Sequence, residues 1–168
     1  MGQAVEVIDK LAAVEAIKNL KARYFRCVDT FDLEGWLEVF TDDAETLYDS
    51  EVSRGDAQVK AARFSGLEEI RAYWTGNPGR LQSVHHGHTP EIEIISDVEA
   101  HGIWAMEDIV EFADMLFHGY GHYYETYRKV GGEWRIAKLH LRRTRLSQVQ
   151  KNRLNDIPAD AGRIRWRG

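Results

Sequence analysis

The chain has 168 residues, of which 43% are hydrophobic and 11% aromatic, and its formal net charge is -5. This composition fits one folded domain, excludes a disordered chain, and lacks the basic surplus of a nucleic-acid-binding protein. Cys27 is the single cysteine, so no internal disulfide is possible. No apolar run approaches the roughly 20 residues that cross a bilayer, and no signal-peptide core is present at the N-terminus. We therefore expect a cytoplasmic protein without membrane or nucleic-acid partners.

The N-terminal part of the sequence predicts one long amphipathic helix. Between about Ile8 and Val28, apolar side chains recur every three or four positions, which is the spacing of one helical face. That face carries Leu11, Val14, Ile17, Leu20, Tyr24 and Cys27. The helix is therefore expected to pack on the rest of the domain along this stripe.

Two shorter helices are expected further along the chain. Asp32 is a candidate N-cap for the first of them. Its apolar residues are Leu33, Trp36, Leu37 and Phe40. The other is predicted over residues 66–74, because the helix-breaking run Gly-Asn-Pro-Gly follows at 76–79.

The remaining segments have the period and the turn signals of β-strands. Asp42-Asp43 should be a turn before a short strand that ends near Tyr48, and the polar residues 49–65 should form a loop. Further strands are predicted over residues 84–95, 99–112, 115–129 and 133–146. The turn signals between neighbouring strands are Ser96-Asp97 and Gly131-Gly132.

This order of elements indicates the α+β class. Helices that precede a run of antiparallel strands pack on one face of a curved sheet. We expect a single domain over residues 1–146. The tail, residues 147–168, carries five Lys or Arg and two Asp, and is either a partner-binding arm or disordered.

A cluster of histidines lies in the sequence SVHHGHTPEIEI, residues 83–94. Histidine has an unperturbed pKa near neutrality, so it serves as a proton-transfer group or a metal ligand. His86 and His88 share strand parity and could bind a metal with His122 or Asp108 as a third ligand. No Glu or further His stands at a recognisable metal-site spacing. Acid–base use is therefore favoured over metal binding.

Strand alternation creates a conflict within this cluster. Ile92 and Ile94 share parity with His86 and His88, so simple alternation sends His85 to the opposite face. A β-bulge at Pro90 would reset the parity and bring His85 to the face of the two isoleucines.

Four polar residues stand at apolar positions of the predicted elements. Tyr24 lies on the helical stripe, as a core tyrosine or as a proton donor. Asp29 ends that helix, as a turn cap or as a site residue. Asp108 shares a strand face with Trp104, Met106, Val110 and Phe112, and Arg143 shares one with Ala137, Leu139 and Leu141. Buried polar groups from separate elements indicate a pocket lining.

Three segments resemble one known family: VEAIKNLKARYFRCVD (14–29), HHGHTPEIEI (85–94) and WAMED (104–108). They are similar to the SnoaL-like group of the nuclear-transport-factor-2-like superfamily, which includes bile acid 7α-dehydratase and scytalone dehydratase. The resemblance covers residues 11–146. It implies a cone-shaped α+β barrel, in which N-terminal helices pack on a curved, mixed, mostly antiparallel sheet and the active site lies inside the cone.

The resemblance also implies roles for particular residues. Tyr24, Asp29 and His85 correspond to catalytic positions of the family, with His85 as the base. Tyr48, Asp108 and Arg143 correspond to positions that contact or orient the substrate. Residues 113–123 differ from the family pattern in length and residue type, so His122 and Tyr120 would line a differently shaped pocket. Steroid specificity is therefore not fixed by the resemblance, and His86 and His88 are left with packing or pocket-wall roles.

The function expected from these residues is that of a cofactor-independent dehydratase. It would eliminate water from a small hydrophobic hydroxy-carbonyl compound, cyclic or steroid- or polyketide-like, by His–Asp acid–base catalysis. The alternatives are an isomerase or cyclase on the same scaffold, or a non-catalytic ligand-binding module. The resemblance further implies a homodimer or homotrimer that assembles through the sheet.

Overall fold

The computed structural model describes residues 2–53, 55, 59–76 and 80–151. Three helices and six strands follow one another in the order α1 (Gly2–Asp29), α2 (Leu33–Leu37), β1 (Phe40–Val52), β2 (Ala61–Ser65), α3 (Gly66–Thr75), β3 (Arg80–Ile94), β4 (Glu99–Phe112), β5 (Met115–Val130) and β6 (Glu133–Gln150). No helix of the described residues is both long and apolar enough to cross a bilayer.

The six strands form one curved sheet in the order β2-β1-β6-β5-β4-β3. Only the pairing of β1 with β6 is parallel, and all other neighbours are antiparallel. Helix α1 lies across the inner face, where it packs on β3 and β6. The predicted α+β cone with a mixed, mostly antiparallel sheet is therefore confirmed.

The core lies between α1 and the inner face of the sheet. Ile17, Leu20, Tyr24 and Cys27 of α1 are buried as the helical spacing predicts, but Leu11 is 61% exposed. Helix α1 begins at Gly2, earlier than expected, and Val7 and Ile8 in its N-terminal part are exposed as well. The apolar stripe is therefore longer than the surface that covers it.

The middle of the chain contains more strand than expected. Strand β1 runs to Val52, and residues 61–65 form the edge strand β2, antiparallel to it. Phe40 belongs to β1 and not to the second helix, which ends at Leu37. Polar side chains concealed these strands, because one face of β2 is open to solvent.

The two predicted hairpin turns are present. Gly131 and Gly132 join β5 to β6 with φ angles of 59° and 90°, the left-handed conformations that such a turn requires. Ser96-Asp97 lies in the turn between β3 and β4. Strand β6 continues to Gln150, four residues past the expected domain end at 146. The rest of the tail, 152–168, lies outside the described residues.

Strand β3 carries the bulge that the parity conflict requires. His85 is paired with Asp108 and Gly87 with Met106, but the next pairs are Pro90 with Trp104 and Ile92 with Gly102. The register shift lies between Gly87 and Pro90. His85 therefore returns to the face of Ile92, and the predicted bulge is confirmed.

Candidate active site

A cavity of about 200 Å³ opens between α1, α2, α3 and the inner face of the sheet. Aromatic and aliphatic side chains make up most of its wall, and a few polar groups converge on it. It is lined by Tyr24, Val28, Trp36, Tyr48, Tyr73, Trp74, His85, Asp108, Val110, Phe112, Phe117, Tyr123, Leu141 and Arg143. A concave, largely apolar space with few polar groups is the usual form of a small-molecule site.

A larger, open groove of about 800 Å³ lies elsewhere, between the N-terminal half of α1 and the turns at the far end of the sheet. Its lining includes Glu6, Asp9, Lys10, Asp97 and Lys129. None of the predicted site residues lies there, so the smaller cavity is the better candidate.

His85 and Asp29 form a hydrogen-bonded pair at this cavity. The His85 Nδ1 atom lies 2.6 Å from Asp29 Oδ1. The His85 backbone N–H donates to Asp29 Oδ2 at 2.8 Å, and the Ser83 hydroxyl donates to Oδ1 at 2.9 Å. Asp29 therefore faces β3 and is not a turn cap, because Asp32 caps α2 through the backbone N–H of Gly35.

These contacts fix the charge of the carboxyl group. Partial burial alone would raise the pKa of Asp29, but the hydrogen bonds from His85 and Ser83 outweigh it and leave the pKa below its ordinary value. An ionised Asp29 can only accept a hydrogen bond from Nδ1–H, so the neutral imidazole carries its hydrogen on Nδ1. The Nε2 atom then keeps its lone pair, as a general base requires.

Three phenols converge on the same cavity. The hydroxyls of Tyr24 and Tyr48 are 3.4 Å apart, and Tyr123 packs against Tyr24 with ring centroids 6.0 Å apart. Burial raises the pKa of all three phenols well above the ordinary value. Each phenol therefore stays protonated at neutral pH and can donate a hydrogen bond or a proton.

Asp108 and Arg143 form a second buried pair in the cavity wall. The Arg143 guanidinium donates to both carboxylate oxygens of Asp108, at 3.0 and 2.8 Å, and its Nε donates to the Asp49 carbonyl at 3.1 Å. Asp108 therefore has the partner that its apolar face requires. A parallel two-point bond of this kind holds both side chains rigidly.

Gly119 provides the space for this pair. A Cβ at residue 119 would overlap Arg143 Nη1 and Asp108 Oδ1. The neighbouring strand β5 must therefore lack a side chain where it passes the pair. Gly119 was not singled out from the sequence, because a glycine between two aromatic-rich stretches of a strand has several explanations.

The structure brings most of the predicted site residues together. Tyr24, Tyr48, His85, Asp108 and Arg143 all line the cavity, and Asp29 reaches it through His85. Tyr123, Trp36, Tyr73, Trp74 and Phe117 also line it and were missed. Tyr123 had a detectable signal, because it shares strand parity with the buried Tyr127.

The prediction that His122 lines the pocket is wrong. On β5, Gly121 and Tyr123 face inward, and His122 between them points to the outer face, where its ring lies near Tyr124. Tyr120 is also on the outer face, 5.8 Å from the Arg145 guanidinium. Strict alternation along β5 separates both residues from the cavity.

The remaining histidines of the cluster do not line the cavity either. His86 is paired with Glu107, on the face opposite His85, and both His86 and His88 are exposed. The structure therefore corrects the pocket-wall role proposed for them. Among the described residues, no three His, Cys, Asp or Glu side chains are grouped as a metal site would require.

The cone-shaped α+β fold, with a largely apolar cavity on which a few polar groups converge, defines the class of the protein. The model of the SnoaL-like domain family matches residues 9–140, and the chain belongs to that family. The expected SnoaL-like family relationship is thereby confirmed.

Individual relatives include several enzymes. The chain is 25% identical over 142 residues to the "Probable cyclase FGR4" of Gibberella zeae, covering 78% of this chain and 91% of that protein. The structure of the "Putative Scytalone Dehydratase" of Novosphingobium aromaticivorans is 21% identical, with 84% and 90% coverage and a TM-score of 0.73. Hexachlorocyclohexane dehydrochlorinase LinA-type3 of Novosphingobium barchaimii is 19% identical, with 84% and 93% coverage and a TM-score of 0.71. At these identities, the two structures show a shared fold.

Proposed function

We propose that the protein is a dehydratase that eliminates water from a small, neutral, cyclic hydroxy-carbonyl compound without a cofactor. The observation that carries this proposal is the 2.6 Å contact between His85 and Asp29 in a cavity that also holds protonated phenols. A base and an acid that meet in one apolar space can remove a proton and protonate a leaving group.

His85 begins the proposed reaction. Its Nε2 atom takes the proton from the carbon next to the carbonyl, and the electron pair of that C–H bond moves toward the neighbouring carbon. Ionised Asp29 accepts the hydrogen bond from Nδ1 and stabilises the imidazolium as it forms. Stacking of the imidazole against Phe25, with centroids 6.5 Å apart, limits rotation of the ring.

Tyr24 completes the elimination. The electron pair forms the carbon–carbon double bond, the C–O bond breaks, and the leaving hydroxyl takes the Tyr24 proton and departs as water. Tyr48, whose hydroxyl lies 3.4 Å from that of Tyr24, stabilises the oxygen charge that develops on Tyr24. Proton transfer from His85 to Tyr24 through water restores the starting state.

The size and charge of the cavity define the substrate that we propose. A volume of about 200 Å³ is below the roughly 300–1,000 Å³ of sites for drug-sized ligands, so a compound of one or two rings fits better than a steroid. The charge of Arg143 is paired with that of Asp108, which favours a neutral substrate. Trp36 and Trp74, 4.7 Å apart, offer a surface for a flat ring.

A cyclase or isomerase is the second candidate, because one relative is named a probable cyclase. The same base would remove the same proton, but the carbanion would attack within the molecule or be reprotonated. No water would leave, and the product would have the mass of the substrate. Mass spectrometry of the product therefore separates the two reactions.

The test is a screen of cyclic β-hydroxy ketones of one or two rings, followed by the absorbance of the conjugated product and by its mass. We expect wild type to release water, and His85→Ala to lose at least about 100-fold in rate. His86→Ala and His88→Ala are matched controls on the exposed face and should keep the wild-type rate. Full activity of His85→Ala would refute the proposal. Wild-type binding of the compounds without turnover would favour a ligand-binding module.

A further inference from the structure

A buried ion pair joins α1 to β5 next to two of the phenols of the cavity. The side chains of Lys21 and Glu125 are both fully buried, and the Lys21 ammonium donates to Glu125 Oε1. The other carboxylate oxygen accepts a hydrogen bond from the Tyr127 hydroxyl, which itself accepts from Trp104 Nε1 at 2.7 Å. The pair thus starts a chain of polar groups that ends inside the core.

The ammonium of Lys21 lies against aromatic rings. Its Nζ atom is 3.6 Å from the ring centroid of Tyr123, 4.2 Å from that of Tyr24 and 4.8 Å from that of Phe25. Tyr24 and Tyr123 line the cavity, whereas Lys21 does not. The cation therefore contacts from within the core two phenol rings that also line the cavity.

Core stability does not account well for this arrangement. Taking two charges out of water is expensive, and apolar residues of similar volume are often as stable as a buried ion pair. Burial lowers the pKa of Lys21, and the Glu125 charge opposes that change. Glu125 thus serves to keep a cation in the core, and the ionisable groups among the rings that contact this cation are Tyr24 and Tyr123.

A cation on the face of a phenol ring favours the phenolate, because the negative charge of that anion is spread into the ring. The other groups that face Tyr24 act in both directions. Burial and the nearby Tyr123 and Glu125 raise the pKa of Tyr24, and the hydrogen bond with Tyr48 lowers it. The positive charge of the Lys21 ammonium acts with the Tyr48 hydrogen bond, in the direction that lowers the pKa of Tyr24.

We propose that Lys21, held by Glu125, is a positioning residue that fixes a positive charge on the Tyr24 ring and makes this phenol a better proton donor to the substrate. The proposal rests on the proposed function, because that function makes Tyr24 the general acid. The effect of the charge on the phenol can nevertheless be measured without any reaction.

The test places 3-fluorotyrosine at position 24, so that the phenol ionises at lower pH and can be followed by ¹⁹F NMR. Lys21→Met/Glu125→Gln removes both charges and leaves an acceptor for Tyr127. We expect this double variant to raise the ¹⁹F titration midpoint by about one pH unit. Lys18→Met/Glu15→Gln is the matched control, because it neutralises an exposed ion pair of the same helix, and it should leave the midpoint unchanged.

A second variant covers the case in which the first does not fold. Lys21→Gln/Glu125→Gln replaces the ion pair by two amides that can hydrogen-bond, and the same rise is expected. An unchanged or lowered midpoint in either folded variant overturns the proposal. This result is independent of the proposed reaction, since the measurement needs no substrate.

Kinetics then test whether the charge matters for turnover. With a substrate from the screen, the charge-free double variant should lower kcat with little change in KM, and should shift the alkaline limb of the rate profile to higher pH. In a Tyr24→Phe background the same two substitutions should cause no further loss. A further loss of the same size would mean that the pair acts on stability and not through Tyr24.

Discussion

Asp29 holds His85 at two points, through the backbone N–H at 2.8 Å and through the ring Nδ1 at 2.6 Å. One carboxylate thus fixes both the position of strand β3 and the orientation of the imidazole that β3 carries. A carboxylate at the end of α1 opposes the helix dipole, at a cost of about 0.3–1 kcal/mol. The hydrogen bonds to β3 offset this cost, so the helix end and the strand are held together by the same group that orients the base.

Replacing Asp29 by Asn should impair catalysis more than binding. The amide can still accept a hydrogen bond, but it carries no charge to stabilise the imidazolium. We expect kcat to fall by about 10²–10⁴-fold with little change in KM, measured by steady-state kinetics on a substrate from the screen. Asp32→Asn is the control, because Asn caps a helix as well as Asp does. A kcat of Asp29→Asn within a few-fold of wild type would remove Asp29 from the mechanism.

The contribution of Asp29 to stability should depend on pH in the acid range. Its pKa in the folded protein lies below the ordinary value of 3.8, so its stabilisation is complete above that value and is lost as the pH falls through the folded pKa. We therefore expect the difference in unfolding free energy between wild type and Asp29→Asn to be larger at about pH 6 than at about pH 3. Urea denaturation at the two pH values measures it, and equal differences would contradict the assignment.

Adding a methyl group at Gly119 should destabilise the protein. The new Cβ would overlap the Asp108–Arg143 pair, and neither partner can move without losing a two-point bond. We expect Gly119→Ala to lower the unfolding free energy by about 1–3 kcal/mol, measured by urea denaturation. Ser147→Ala, at an exposed position of the neighbouring strand β6, is the control. A Gly119→Ala protein as stable as this control would show that the pair is not rigid.

Breaking the Asp108–Arg143 pair should cost more than removing it. Both side chains are buried, so Arg143→Met leaves an unpaired carboxylate in an apolar wall and should lower the unfolding free energy by about 3–5 kcal/mol. The double variant Asp108→Leu/Arg143→Met removes the charge as well and should recover much of that loss. Denaturant unfolding of wild type, Asp108→Leu, Arg143→Met and the double variant forms a complete cycle. A double variant less stable than Arg143→Met would contradict this account.

The periodicity of apolar residues predicted those helices and strands that have one buried and one solvent-exposed face. The α1 stripe around Ile17 and Tyr24 and the strand face of Asp108 follow directly from spacings of three to four and of two. The edge strand β2 could not be found in this way, because it has only five residues and none of them is fully buried. The outer position of His122 could have been predicted, since it alternates with Tyr123.

The sequence pattern also indicates that Lys21 and Glu125 are each buried. Lys21 stands four residues after Ile17 and three before Tyr24, on the apolar stripe of α1, and Glu125 shares parity with Tyr123 and Tyr127. The sequence does not show that Lys21 pairs with Glu125, because the two positions are 104 residues apart. Likewise, only the folded chain shows that Gly119 passes the Asp108–Arg143 pair.

The bulge in β3 determines which insertions or deletions in this strand would leave His85 facing Asp108. From His85 to Ile92 the chain advances by seven residues, while the facing segment of β4, from Asp108 to Gly102, spans six. The extra residue is absorbed between Gly87 and Pro90. A relative shorter by one residue in that interval would form a regular ladder and still present the same histidine to the same aspartate. A relative longer by one would need a second irregularity to do so. A relative that lacks one residue between positions 87 and 90 can therefore keep the proposed catalytic histidine in the same place.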